Sequence, residues 1–375
     1  MTTNTPEAIW EKIQKGVFII AEAGKNFIQT EEERPVAEYL ENAKRLVDEA
    51  VKAGADAIKW QTHNVEDEQL DLDIVYPHFK GADRFSWVTR NTEATPFTEF
   101  WKPLKAYCDQ KGIIFMSTPM GRGAAKVLNE TGVSVWKVGS GDILDFVMLD
   151  YLRESGKPVM ISSGMSTFEE VKKALNYLLE KNDRVALFHA LSKYPGRLDE
   201  ANLAVMEFYR EKFPGVPVGF SENSISIESC LFATALGAKM IERHLTISRD
   251  LWGADHRICS IPEEFKELVD GIRRIEKEPA EREGWLGNPN LKIALGKKEK
   301  ILQKDEELFR PLFRKALMAG CDIPAGTALT ADMIYAMRPQ QYAGGLPSEE
   351  YENMLGKKTM KGLKKYDPIT RETIG

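Results

Sequence analysis

PVMISSGMSTFEEVKKALNYLLEKNDRVALFHALS (158–192) reads as one strand–helix–strand unit. PVMISSG (158–164) is a short apolar run that closes on Ser and Gly. TFEEVKKALNYLLEKND (167–183) follows, with Thr167 three residues before Glu170, the spacing of a capping box at a helix start. RVALFHALS (184–192) is apolar again and ends in polar residues. Two buried strands joined by a covering helix form a parallel unit. Outward from this unit the pattern repeats, in GVFIIAEAG (16–24), AIKWQ (57–61), IIFMSTP (113–119) and VWKVGS (135–140) before it, and in VPVGFSEN (216–223) and KMIERHLT (239–246) after it. Amphipathic segments lie between. PVAEYLENAKRLVDEAVKAGA (35–55) puts Val36, Leu40, Ala43, Leu46, Val47 and Ala50 on one stripe closed by Gly54, and SIESCLFATALGA (226–238) runs from Ser226 to Gly237. Eight such strands predict a closed α/β fold, the (β/α)8 TIM barrel, with the active site at the C-terminal strand ends.

The chain of 375 residues exceeds a typical barrel of about 250 by one small domain. Its net charge of −6, from 51 basic and 57 acidic residues, argues against nucleic acid as a partner. It leaves room for an anionic small molecule, since a few lysines set the field within a cleft. Cys108, Cys230, Cys259 and Cys321 are scattered, so reduced thiols of a cytoplasmic protein are expected. The N-terminal MTTNTPEAIWEKIQKG has no apolar signal core, and no window approaches the ~20 apolar residues of a membrane span.

The barrel is expected over 1–282, a linker over 283–309 and a compact C-terminal domain over 310–375, with a helix starting at Thr330-Ala331-Asp332. That domain is small for independent stability and is expected to pack on another surface. The charged linker is expected to carry some helix and to be solvated surface. The long excursion 63–97 follows the second strand, either as a cover for substrate or as a surface insertion, and carries His63 and His78.

Residues i and i+2 of a strand share a face, so Lys59 points with Gln61, Ser221 with Asn223 and Glu242 with His244. A lysine inside an apolar parallel strand is costly unless paired or used. Lys59 and Lys137, near Thr118, Ser140, Ser162 and Ser221, fit a phosphate or carboxylate pocket, or else bridge buried carboxylates. Glu242 and His244 suit a divalent metal or an acid/base pair, or a structural pair, and Asp255 and His256 add polar groups at the same rim. His189 reads as a core histidine or, with Ser192 and Tyr194 beside it, as part of a sugar or anion contact.

IAEAGKN (20–26), KWQ (59–61), FMSTP (115–119), WKVGSGD (136–142), ISSGMST (161–167), LFHALSKYP (187–195), GFSENS (219–224), IERHLT (241–246) and GADHRICS (253–260) occur in this order, with motifs on the successive strands. Together they resemble the sialic acid (N-acetylneuraminate) synthase family of phosphoenolpyruvate-condensing enzymes, and RKALMAGCDIPAGTALTADMIYAMRP (314–339) resembles its C-terminal antifreeze-like (SAF) domain. The resemblance implies condensation of phosphoenolpyruvate with an N-acyl-mannosamine-type amino sugar, its 6-phosphate or a 2,4-diacetamido-trideoxyhexose, giving a nonulosonic acid and phosphate. By matching positions it implies that Lys59, Gln61, Thr118, Lys137, Ser140, Ser162, Ser192 and Ser221 hold phosphoenolpyruvate, and that Tyr194, Asp142 and Asp255 contact the sugar, with His189 at the same strand tip. Glu22 would handle a proton or orient water. His244, with Asn223, would hold a divalent manganese or magnesium ion. Arg314 would reach the sugar site of the other subunit in a domain-swapped homodimer.

Where the family usually has His, Gly and Glu, this chain has Phe27, Gln29 and Asp142, and in place of an Asp-His pair whose His ligates metal it has Glu222-Asn223. Two further readings remain: a Schiff-base aldolase using Lys59 or Lys137, and a sugar-binding relative without catalysis.

Overall fold

The computed structural model describes residues 4–72, 74, 83–253, 255–308 and 310–375. Eight parallel strands form the expected barrel: β1 (Phe18–Gly24), β2 (Ala57–Thr62), β3 (Ile114–Pro119), β4 (Trp136–Val138), β5 (Val159–Ser162), β6 (Val185–Ala190), β7 (Val218–Glu222) and β8 (Met240–His244). Their order around the sheet is β3-β2-β1-β8-β7-β6-β5-β4, and only the β3/β4 seam lacks ladder bonds among the described residues. Strands covered on both faces bury nearly every position. Gln61 and Ser221 are the half-exposed ones, and both face the cavity at the barrel's C-terminal end.

The opposite end is shut. Helix α1 (Pro6–Lys15), with Thr5 capping its N-terminus, presents Ile9, Trp10 and Ile13 to the strand ends. They pack with Phe18, Ile20, Met116, Met160, Phe188 and Met240 into an apolar layer inside the barrel. Space there is tight: a Cβ on Gly219 would lie 2.7 Å from the Met240 carbonyl oxygen, so β7 passes β8 only as glycine. Outside the strands a second, larger core takes up the covering helices. Helix α2 (Val36–Ala53) gives Ala43, Leu46, Val47 and Ala50 to it and ends at Gly54, whose φ of 87° is left-handed. The capping box at Thr167 and Glu170 forms as its spacing predicts. The four cysteines are free thiols, with Cys321 exposed.

The C-terminal residues build a β-rich module around an antiparallel pair, β9 (Ala316–Ala319) and β10 (Ile334–Met337). The helix expected at Thr330 is a single 3-10 turn, Ala331–Met333, because IYAM is drawn at once into pairing with ALMA. Leu317, Ile334, Ala336 and Ile369 join the barrel's outer core, so the module shares its interior with the barrel. The segment before it is not merely solvated. Its helices Pro279–Leu286 and Pro289–Leu295 lie against the barrel, Leu291 and Ala294 are buried, and Glu306 is wholly buried.

Charged residues dock the module on its own chain's barrel. Lys315 Nζ lies 2.7 Å from Asp145 and 3.0 Å from Asp142, and donates to the Met120 carbonyl at 2.6 Å. Arg338 pairs with Asp142, and Arg122 donates to the carbonyls of Ala331 at 2.8 Å and Ile334 at 2.7 Å. Arg338 also pairs its backbone with Glu68 and Leu70, tying β10's end to the excursion after β2.

Candidate active site

The strand ends line a cavity of about 190 Å³ that opens to solvent. Register places its key groups: Glu22 lies beside Lys59 on β2 and beside His244 on β8, Gln61 beside Thr118, and Ser221 beside Glu242. The cavity is lined by Glu22, Lys59, Gln61, Thr118, Lys137, Ser140, Asp142, Ser162, Ser192, Tyr194, Ser221, Asn223, His244 and Asp255, all expected from sequence.

At the floor two buried lysines flank one carboxylate. Glu242 Oε1 is 3.7 Å from Lys59 Nζ and 3.6 Å from Lys137 Nζ, and accepts from Ser221 Oγ at 3.1 Å. Lys59 also meets Glu22 Oε2 at 2.7 Å and donates to Thr118 Oγ1 at 3.0 Å, while Lys137 donates to Ser162 Oγ at 2.6 Å. Burial lowers the Lys137 ammonium to about 8 against the pull of Glu242. Burial works against Lys59 too, but Glu22 and Glu242 outweigh it and raise that group. Burial holds the Glu22 carboxyl above its ordinary value despite Lys59. Glu242 is also buried, yet Lys137 and Lys59 bring it below its ordinary value. The two carboxyls are thus pushed in opposite directions, Glu22 towards holding its proton and Glu242 towards losing it.

Hydroxyls gather beside Lys137. A Cβ on Gly164 would fall 2.2 Å from Ser192 Oγ and 2.6 Å from Ser140 Oγ, so both serines close over a residue that only glycine fits. Ammonium, serine hydroxyls and a bare backbone make a cradle suited to anionic oxygens. Towards the mouth, Gly24 (φ 52°) brings the next groups close: its Cβ position is 3.3 Å from Glu22 Oε1 and Gln61 Nε2, and 3.7 Å from Asp255 Oδ2. Half-exposed Tyr194 stands edge-on to His244, with ring centres 6.4 Å apart.

Two expected residues lie elsewhere. His189 does not line this cavity: its Nε2 meets the Ala201 carbonyl at 2.7 Å, and burial lowers the ring to about 3, so it is a neutral core histidine. Arg314 is buried within its own chain, where its guanidinium is taken up by the Met165 carbonyl at 2.7 Å and Ser166 Oγ at 3.0 Å. Those acceptors belong to the loop after β5. Asp142 lines the cavity, but its carboxylate is shared by Arg338 and Lys315. Phe27 points away, packing in the outer core tilted against Phe100 at 4.8 Å and edge-on to Trp60 at 6.0 Å.

Several lining residues were not singled out from sequence. Arg338 of the C-terminal module lines the cavity, with Nε and Nη1 lacking protein acceptors. Arg84 and Trp87 come from the described end of the excursion, and Lys25 lies 5.2 Å from the Trp87 ring. Burial lowers Lys25 to about 8 and, with Arg338 nearby, Arg84 to about 10. His63 is buried, 2.7 Å from Glu68, and burial brings it to about 4. His78 lies outside the described residues.

Among the described residues no group of three or more His, Cys, Asp or Glu converges as a metal site. His244 Nδ1 is buried without a partner, and Asn223 spends its amide nitrogen on the Leu191 carbonyl at 2.6 Å, leaving only its oxygen as a donor. One imidazole and one amide oxygen fit a divalent cation of the magnesium or manganese kind that takes its remaining ligands from substrate and water.

The NeuB family model matches residues 46–283. The chain is 31% identical to the N-acetylneuraminate-9-phosphate synthase of Mus musculus, over 95% of this chain and 92% of that protein. It is 30% identical to the N,N'-diacetyllegionaminic acid synthase of Campylobacter jejuni, over 96% of this chain and all of that protein. The crystal structure of spore coat polysaccharide biosynthesis protein SpsE from Bacillus subtilis superimposes with a TM-score of 0.75 at 31% identity, covering 96% of this chain and 95% of that one.

Proposed function

Because this chain belongs to the NeuB family, we propose that it condenses phosphoenolpyruvate with an N-acyl-mannosamine-type sugar to give a nonulosonic acid and phosphate. The observation that carries the reading is the floor of the cavity, where Lys59 and Lys137 each bond a hydroxyl and share Glu242. Phosphoenolpyruvate brings a phosphate and a carboxylate, and the two ammonium groups with Thr118, Ser140, Ser162, Ser192 and Ser221 supply the charge and donors that it needs.

In the reaction the enol C3 attacks the aldehyde carbon of the open-chain sugar and forms the new carbon–carbon bond. The aldehyde oxygen takes up a proton, and water adds at C2 and gives up one. The C2–O bond to phosphate then breaks as the C2 hydroxyl passes its proton to the departing phosphate, leaving the ketone of the product. Glu22 sits between floor and mouth with its proton affinity raised, so its role is to pass a proton to the former aldehyde oxygen or to take one from the incoming water. Gln61 donates to Glu22 Oε1 at 3.1 Å and keeps that carboxyl turned to the cavity. Tyr194 and Asp255 meet the sugar nearer the mouth. His244 and Asn223 would hold a divalent ion, which when bound would polarise the aldehyde. A homodimer that exchanges C-terminal modules would make the Arg338, Lys315 and Arg314 contacts between subunits, and solution mass tests for it. Cytoplasmic residence suits a consumer of phosphoenolpyruvate, and no described helix is long and apolar enough to cross a membrane.

The test is incubation with phosphoenolpyruvate, manganese and a panel of neutral and phosphorylated hexosamines, followed by product mass and phosphate release. Equal release with and without every sugar would defeat the reading, and binding without release would favour the non-catalytic one.

A further inference from the structure

We propose that Glu306, in the segment between the barrel and the C-terminal module, is a positioning residue that sets the loops after β5 and β6 for phosphoenolpyruvate. This rests on the placement of phosphoenolpyruvate at Lys59 and Lys137. Glu306 is wholly buried, and a single oxygen, Oε1, accepts from the backbone N–H of Met165 at 3.0 Å and of Ser192 at 2.9 Å. Those residues sit on different loops. One follows Ser162 at the end of β5 and includes Gly164, and the other carries Ser192 and Tyr194 beyond β6.

The cradle is made where these loops meet, since Ser192 Oγ lies 2.2 Å from where a Gly164 Cβ would stand. No ladder bond spans the two loops at this point; the strand pairing of β5 with β6 ends at Ser162 and Phe188. The shared carboxylate oxygen therefore replaces the sheet as the link between them. Met165 shows how closely its loop is held. It has φ 52°, unusual for a side-chain-bearing residue, with its N–H on Glu306 and its carbonyl accepting from Arg310 at 3.0 Å and Arg314 at 2.7 Å. Oε2 of Glu306 accepts from Gln303 N at 3.2 Å and lies 3.8 Å from the buried Lys300 Nζ, which fixes the carboxylate from behind. A charged acceptor bonding two amides is among the stronger neutral-to-ionic contacts in a protein interior. Glu306 does not line the cavity, so its effect on the ligand is exerted through Ser192 and the β5 loop.

The experiment measures both Michaelis constants in full-length Glu306→Ala, Glu306→Asp and Glu306→Gln, together with phosphoenolpyruvate affinity by calorimetry. Alanine, and aspartate with its shorter reach, should raise the KM and Kd for phosphoenolpyruvate by about 10- to 100-fold. The sugar KM should rise far less, since of the sugar contacts only Tyr194 lies on these loops, and glutamine, which keeps an acceptor oxygen, should restore most of the affinity. A merely structural role lowers the active fraction and leaves the phosphoenolpyruvate KM unchanged. That result, or an equal rise in both constants, overturns the proposal. Should alanine not fold, the aspartate and glutamine pair decides it in the same terms. Lys137→Ala separates the two levels: if the wild type fails to bind phosphoenolpyruvate, or Lys137→Ala binds it normally, the underlying placement is wrong. If both behave as expected and the Glu306 variants keep the wild-type constant, only the positioning role is.

Discussion

Glu22 and Lys59 face each other across β1 and β2, with 2.7 Å between Oε2 and Nζ, and yet the carboxyl retains a raised proton affinity. Burial and the second anion at Glu242 outweigh the ammonium. Such a carboxyl is suited to giving up and regaining a proton within one turnover. Glu22→Gln should lower kcat by about 100-fold or more, with a far smaller change in phosphoenolpyruvate KM. A drop confined to KM, measured by steady-state phosphate release, would make Glu22 a binding group.

Lys137, lowered to about 8, is charged below that pH and neutral above it. An anion at the floor needs the charged form, so kcat/KM for phosphoenolpyruvate should fall as pH rises through about 8. Lys25 is lowered to a similar value, and Lys25→Met should keep this alkaline limb, whereas Lys137→Arg, charged throughout, should lose it. A lysine of this kind also suits imine chemistry. Borohydride with pyruvate should nevertheless leave the protein mass unchanged, and a trapped adduct at Lys137 would establish the aldolase reading instead.

Asn223→His should tighten manganese binding, read by the loss of the free-ion electron paramagnetic resonance signal, by about tenfold or more, because imidazole binds such ions better than an amide oxygen. It also removes the amide N–H given to Leu191. An unchanged manganese affinity would show that this position does not face the ion.

Lys315→Met should destabilise the fold by about 3–5 kcal/mol, since it leaves Asp145 buried without its cation. Asp142 keeps Arg338, so the loss falls mainly on Asp145. Thermal unfolding of the variant should show the deficit. A melting temperature equal to the wild type would mean that water or another group neutralises Asp145.

The barrel was readable because each strand announces itself locally. VMIS, VALFHA and MIERH are short, apolar and bounded by turn residues, and the polar tips fall at the ends where a parallel barrel puts its site. The side chains that come from a distance were not. Arg338 and Phe313 reach the cavity only because the C-terminal module docks through Lys315 and Arg122, contacts separated by more than 150 residues of chain. Glu306 was hidden in a charged run, though its spacing from Gln303 is that of a capping box. His189 was placed at the site by its neighbours Ser192 and Tyr194, but its strand register turns the ring outward to Ala201. Phe27 departs from the family pattern because its ring belongs to an aromatic cluster outside the barrel, with Tyr39, Trp60 and Phe100.

With α1 stoppering the far end, the barrel is a cul-de-sac. Whatever rests on Lys59 and Lys137 enters past Tyr194 and Trp252 and leaves by the same road. The stopper therefore makes depth a matter of sequence as well as place: with phosphoenolpyruvate on the two lysines as proposed, the deeper reactant would have to arrive before the shallower one.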